Sequence, residues 1–125
     1  MWVGFKTSRA VIASFSVNRD KKRTFMTPES SLKKAIRVYL NLRGIFYFHN
    51  FGALGAYKGI ADITILHEGK SYWVECKSKT GIVSPYQKKF LENVERAGCI
   101  AVVAREPEDV MKLFDKKFPR LRIEI

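Results

Sequence analysis

A chain of 125 residues, 46% hydrophobic and 13% aromatic, fits a globular domain with a core of its own and excludes a fibrous or largely disordered class. Its formal charge of +11 suits a polyanionic partner, of which nucleic acid is the commonest, and no apolar run approaches the ~18 residues that a membrane span needs. Two cysteines without a CxxC pair (Cys76, Cys99) and two histidines (His49, His67) offer neither a disulfide framework nor a zinc set, so the chemistry must rest on carboxylates, lysines or hydroxyls.

Residues 1–25 carry six Lys/Arg against one acid. They are rich in Ser and Arg, as a mitochondrial transit peptide is, or they are an extension upstream of a start at Met26. They are set apart from the fold, which is assigned to residues 26–125. Reduced cysteines suit a cytoplasmic setting, prokaryotic or phage-encoded.

Thr27-Pro28-Glu29 predicts a helix start, with Thr as N-cap, Pro at the first helical position and an acid in the first turn. Leu32, Ile36, Tyr39 and Leu40 repeat at helical spacing, Lys33, Lys34 and Arg37 take the other face, and Gly44 ends the helix. Ile45–Phe48 is expected as a short aromatic strand, followed by a glycine-containing loop from Asn50 to Gly59. Ile60–His67 and Ser71–Lys77 are expected as a hairpin turning at Gly69-Lys70. Ser84 and Gln87 have the spacing of a capping box opening a second helix, which Phe90, Leu91, Val94 and Ala97 make amphipathic and Gly98 ends. Ile100–Ala104 is wholly apolar, as in a strand covered on both faces. A third helix over Glu106–Phe118 and an edge strand over Leu121–Ile125 complete the order. The expected fold is α/β, an αβββαβ core with a mixed central sheet flanked by helices, its last two strands joined by a parallel crossover.

With the turn at Gly69-Lys70, Thr64 lies opposite Glu75 and Asp62 opposite Lys77. Asp62, Thr64, Glu75 and Lys77 then share one face, and Ile63, Ile65, Val74 and Cys76 the other. Two carboxylates that close repel and call for a cation between them. A hard divalent ion such as Mg²⁺ meets that need with oxygen ligands, and a nearby lysine can stabilise a developing phosphoryl charge. The same pattern also describes an ordinary exposed cross-strand charge cluster.

Gly59-Ile60-Ala61-Asp62-Ile63, Glu75-Cys76-Lys77, Ser84-Pro85-Tyr86-Gln87, Gly98 and Val102-Val103-Ala104-Arg105, together with Glu29 in the first helix, resemble the VRR-NUC family of the PD-(D/E)xK nuclease superfamily. The resemblance runs in unbroken order over roughly residues 27–114. Ala61 stands where the family usually has proline, and alanine precedes Arg105; neither departure removes a metal ligand. The resemblance implies a restriction-endonuclease-like fold and an endonuclease dependent on Mg²⁺, with Mn²⁺ substituting. Its catalytic set would be Asp62, Glu75, Lys77, Glu29 and Gln87. Asp62, Glu75 and the Cys76 backbone carbonyl would hold the metal, and Glu29 would make an outer contact. Stand-alone members resemble Holliday-junction resolvases and often act as homodimers, so branched DNA is the expected substrate. A non-catalytic nucleic-acid-binding module and an RNA-processing nuclease are the alternatives on the same scaffold.

Glu29 equally serves the helix dipole, and the capping role of Gln87 is complete without catalysis. Lys58, Lys79, Lys88 and Lys89 flank the expected site, where phosphate contacts are useful, or serve solubility alone. Tyr86 either stacks on a base or packs locally. His49 and His67 are read as structural. Phe46, Phe48, Phe51, Leu54 and Tyr57 either complete the core or form an isologous dimer contact.

Overall fold

The computed structural model describes residues 26–115. Expectations for residues 1–25, for the end of the third helix and for a strand over Leu121–Ile125 lie outside the described residues. Helix α1 spans Pro28–Arg43. It starts where Thr27 Oγ1 accepts the Ser30 amide at 3.1 Å and stops at Gly44, whose φ of 66° closes the last turn. Strand β1 is Phe46–His49, β2 Ile63–His67 and β3 Lys70–Cys76. Helix α2 spans Pro85–Arg96, β4 Ile100–Ala104 and helix α3 Glu108–Phe114. No helix among the described residues is long and apolar enough to cross a membrane.

The four strands form one mixed sheet in the order β1-β2-β3-β4. The first three pair antiparallel, and β4 pairs parallel with β3, as the crossover through α2 requires. Helices α1 and α3 cover one face. There Leu32, Ile36 and Leu40 of α1 meet Ile63, Ile65, Val74 and Cys76 of the hairpin, with Ala104 and Val110 closing the layer. Each Leu, Ile or Val among them contributes about 1.5–3 kcal/mol by leaving water. Helix α2 covers the β3–β4 half of the other face, with Leu91 and Val94 buried and Phe90 edge-on to Trp73 at 5.5 Å.

Three expectations are corrected. The hairpin turns at Glu68-Gly69, closed by the pair His67–Lys70, so Thr64 lies opposite Trp73 and not Glu75. Both turn residues have positive φ, 48° and 77°, the mirror-image turn that matches strand twist. Moving the turn by one residue shifts the pairing by two. The two faces therefore survive intact, and one step beyond the last pair Asp62 stands against Glu75 instead of Lys77. Second, β2 starts at Ile63 rather than Ile60, because the Ile60 amide turns back to Tyr57 O at 3.1 Å while Asn50 N binds Asp62 O at 2.8 Å. Third, β4 is less enclosed than its wholly apolar sequence implies: Ile100–Val103 are only half-buried and Ala104 alone is fully enclosed, and among the described residues only β3 pairs with it.

One side chain gathers the carbonyls of the chain after β3. Arg105 Nη1 donates to Ser78 O at 2.7 Å, to Gly81 O at 2.8 Å and, more weakly, to Lys79 O at 3.4 Å. Asp109 Oδ2 accepts the Arg105 amide at 2.8 Å and the Glu106 amide at 3.2 Å, securing the turn into α3. Replacing Arg105 by Ala leaves these carbonyls without their charged donor and should cost about 2 kcal/mol of unfolding free energy in urea titration. Lysine, with one ammonium in place of a planar fork, should recover only part of it. An unchanged midpoint in Arg105→Ala would mean that the 78–81 loop is held by something else.

Candidate active site

Asp62 stands where the chain enters β2, and the neighbouring strand aims its carboxylate. The Cys76 amide donates to Asp62 Oδ2 at 2.8 Å. Glu75, on β3, is 3% exposed. Its Oε2 accepts from Gln87 Nε2 at 2.9 Å and lies 3.8 Å from Lys77 Nζ, while Oε1 is buried with no hydrogen-bond partner. Burial pushes the Glu75 carboxyl up to about 7, and the Asp62 charge pushes in the same direction against the pull of Lys77 and Lys33. Desolvation and a like charge are the two causes expected of a carboxylate pair confined together.

The tie at Gln87 is resolved by its two amide ends. Oε1 accepts the Ser84 amide at 2.9 Å and the Gln87 amide donates to Ser84 Oγ at 3.2 Å, which completes the capping box. The amide nitrogen is thereby turned outward from the cap onto Glu75. The helix start and the site share one side chain.

Gly59 sets how close the two parts stand. Its φ is 84°, and a Cβ there would sit 2.4 Å from Tyr86 O and 2.9 Å from Gln87 N. Only glycine lets the segment leading to Asp62 lie against the first turn of α2.

The other expected residues fall in different places. Cys76 turns its thiol into the core, where burial pushes it up to about 12, so it stays a neutral thiol and only its backbone borders the carboxylates. Glu29 is left outside the hydrogen-bonded cluster; its charge is felt at Cys76, where it helps raise the thiol. Thr64 shares the face of Glu75 but is buried, accepting from Asn50 Nδ2 at 2.7 Å. Tyr86 is not packed inside: it is exposed, with Lys58 Nζ 4.2 Å from its ring centroid. Lys58, Lys79, Lys88 and Lys89 are all exposed. His67 stacks edge-on with Phe114 at 5.5 Å on the α1–α3 side, as a structural role requires. Phe46, Phe48, Phe51, Leu54 and Tyr57 are exposed and do not complete the core.

One site residue was not singled out from the sequence. Lys33, grouped with the outward face of α1, reaches Asp62 Oδ1 at 3.3 Å. The signal available was its spacing of four from Glu29, which puts both on one helical stripe.

Among the described residues no group of three or more His, Cys, Asp and Glu side chains forms a ready cage for a metal ion. Two facing carboxylates with one orphaned buried oxygen do suit a hard divalent ion that completes its shell with backbone carbonyl and water, as Mg²⁺ does.

No family model matches the sequence, and no curated protein matches it. Solved structures do. One described as a "VRR_NUC domain protein" is 17% identical, with 74% of this chain and 89% of that one covered and a TM-score of 0.59. Another, described as "VRR_NUC domain", is 22% identical, with 72% and 97% covered and a TM-score of 0.61. The fold, a mixed four-stranded sheet with flanking helices, is the one these VRR_NUC domains adopt.

The Glu75 environment has a measurable consequence in chelator. Between about 4.5, the ordinary value, and about 7, the folded chain holds a proton that the unfolded chain has released. The stability contributed by this group is therefore full below 4.5, falls as pH rises to 7 and is flat above. Glu75→Gln should remove that slope and unfold about 1–3 kcal/mol less readily than the parent chain at pH 8, each pKa unit being worth about 1.4 kcal/mol. An equal free-energy difference between Glu75→Gln and the parent chain at pH 5 and at pH 8, read from urea midpoints, would show that Glu75 does not carry the buried proton.

Proposed function

We propose that this chain is a metal-dependent endonuclease that hydrolyses phosphodiester bonds in DNA, with selectivity for branched structures. The observation that carries the reading is the buried Glu75 carboxylate, set against Asp62 and beside Lys77 with one oxygen unpartnered, in a fold shared with VRR_NUC domains. A module that only bound nucleic acid would have no use for two acids facing a polyanion, because each would repel phosphate.

Asp62 and Glu75, with the Cys76 backbone carbonyl, would hold Mg²⁺ or Mn²⁺, and Glu29 would contribute through water. When bound, the ion supplies a Lewis acid for a phosphoryl oxygen and acidifies water at the site. Gln87 fixes Glu75 by donating its amide to Oε2, which leaves Oε1 as the oxygen that would meet the cation. Lys77, immediately after β3 and 3.8 Å from Glu75, would offer an ammonium to the negative charge that builds up at the phosphorus. Lys58 with Tyr86 at the start of α2, then Lys88, Lys89 and Lys79, offer exposed cations for the phosphates either side of the cut, and Tyr86 offers a ring for an unstacked base.

The half of the sheet that the described helices leave open favours a homodimer. Phe46 and Leu66 are paired across β1 and β2 and are 62% and 42% exposed, and Phe48 is 41% exposed. Helix α2 stops short of this area, which a second copy would cover. A twofold dimer places two sites in the symmetry of a four-way junction, whose resolution needs paired cuts.

Asp62→Asn and Glu75→Gln should each lower cleavage by at least about 100-fold while leaving DNA binding equal or tighter, because a negative charge beside phosphate is removed. Lys77→Ala should lose turnover with little change in binding. The measurement is cleavage of labelled four-way, flap, single-stranded and duplex DNA with Mg²⁺ and with chelator. Full activity of Asp62→Asn in Mg²⁺ would sink the metal site. Light scattering should give a dimer, and Phe46→Ser should shift it toward monomer. A strictly monomeric parent chain cutting all branched substrates by unpaired nicks would remove the resolvase-like part of the reading.

A further inference from the structure

The four oxygens of the carboxylate pair are unequally committed. Asp62 Oδ2 is held by the Cys76 amide, and Glu75 Oε2 is held by Gln87 with Lys77 nearby. The two left most open to an incoming cation are Glu75 Oε1, which accepts no hydrogen bond, and Asp62 Oδ1. The second is covered by Lys33, whose ammonium lies 3.3 Å away. Lys33 arrives from a different layer. Leu32 and Ile36 on the core stripe of α1 anchor the helix, and the residue following Leu32 overhangs the end of β2 from there. Burial lowers the pKa of His49, and the Arg37 and Lys33 charges push the same way against Asp62. The carboxylate pair is therefore bordered by Lys33 from α1 and by Lys77, just after β3.

Resting on the nuclease reading, we propose that Lys33 is a positioning residue that stands in for the divalent cation. It neutralises and aims Asp62 while the ion is away and yields Oδ1 when the ion binds. The released ammonium, on a long and half-exposed side chain, then faces the phosphates of the bound strand. An ordinary surface pair would do neither, because its partner would have no second claimant. Here the oxygen that Lys33 covers is the Asp62 oxygen that the Cys76 amide leaves open to a metal, and two cations cannot share it without repulsion.

The test compares the full chain with Lys33→Met and Lys33→Arg, using Mn²⁺ alone as the probe in calorimetry without DNA. Lys33→Met should bind Mn²⁺ about three- to tenfold more tightly, the size expected when a competing charge worth up to about one tenfold step is removed. Lys33→Arg, which keeps a cation at the position, should stay within about twofold of the parent chain. In chelator, Lys33→Met should melt below the parent, and saturating Mn²⁺ should raise its melting temperature by more. Cleavage should lose kcat with a smaller change in KM. If methionine prevents folding, Lys33→Gln provides the same comparison. Unchanged or weaker Mn²⁺ binding in the neutral variants overturns the Lys33 role and leaves the nuclease reading in place. If the parent and the neutral variants all fail to bind Mn²⁺ at millimolar concentration while remaining folded, the metal site itself falls, and the Lys33 role with it.

Discussion

Burying Glu75 beside Asp62 is the constraint on which the site depends. A carboxylate at 3% exposure has lost most of its water, and its neighbour carries the same charge. Something must hold a proton, lend a positive charge or supply a hydrogen bond. The chain answers from three separate places: Lys77 just after β3, Lys33 on α1 and the Gln87 amide on α2. Each comes from a different layer, so the electrostatic balance at one carboxyl group is also a test of whether the layers are correctly assembled. The Glu75 carboxyl is still pushed up to about 7, so the balance is incomplete. Residual tension of this kind is typical of sites that bind a further cation.

Two backbone devices keep the layers at the required spacing. At Gly59 the missing side chain lets the approach to Asp62 touch the first turn of α2. On the far side of β3, Arg105 ties the carbonyls of residues 78–81 and so fixes the chain that follows Lys77. One device works by omission and the other by a forked donor. Neither residue carries out chemistry itself, which is why both read from the sequence only as members of a motif.

Much of the fold was legible because its signals were local. The Thr27 cap, the Ser84–Gln87 box and the glycine stops require only a few adjacent residues, and β4 falls on Ile100–Ala104 as expected. The faces of the hairpin were legible because alternation has period two, and a two-residue change of partner cannot move a side chain to the other face. Which residue opposed which was not legible, because Glu68-Gly69 and Gly69-Lys70 are both plausible turns and only the folded sheet chooses. Asp62, Glu75, Lys77 and Gln87 came together as the motifs implied, and Glu29 did not join them by hydrogen bond. Lys33 was hidden for a geometric reason. It lies one position past the core stripe at Leu32, where a short side chain would point along the surface, but a lysine is long enough to bend over the helix edge into the site.

On the proposed reading, the distribution of charge makes substrate and metal depend on each other. The exterior is strongly basic and draws a polyanion inward from long range, and the exposed Lys58, Lys88 and Lys89 lie along that approach. At the point of closest approach the strand meets Asp62 and Glu75, which oppose it until a divalent ion occupies the gap. A phosphate that arrives first adds ligands for the ion, and an ion that arrives first removes the barrier to the phosphate. Binding without cleavage is therefore held to the lysine-lined margin, and entry of the scissile bond into the centre is coupled to metal capture. Lys33 belongs to both halves of this exchange, since the charge it withdraws from Asp62 is the charge it brings to the strand.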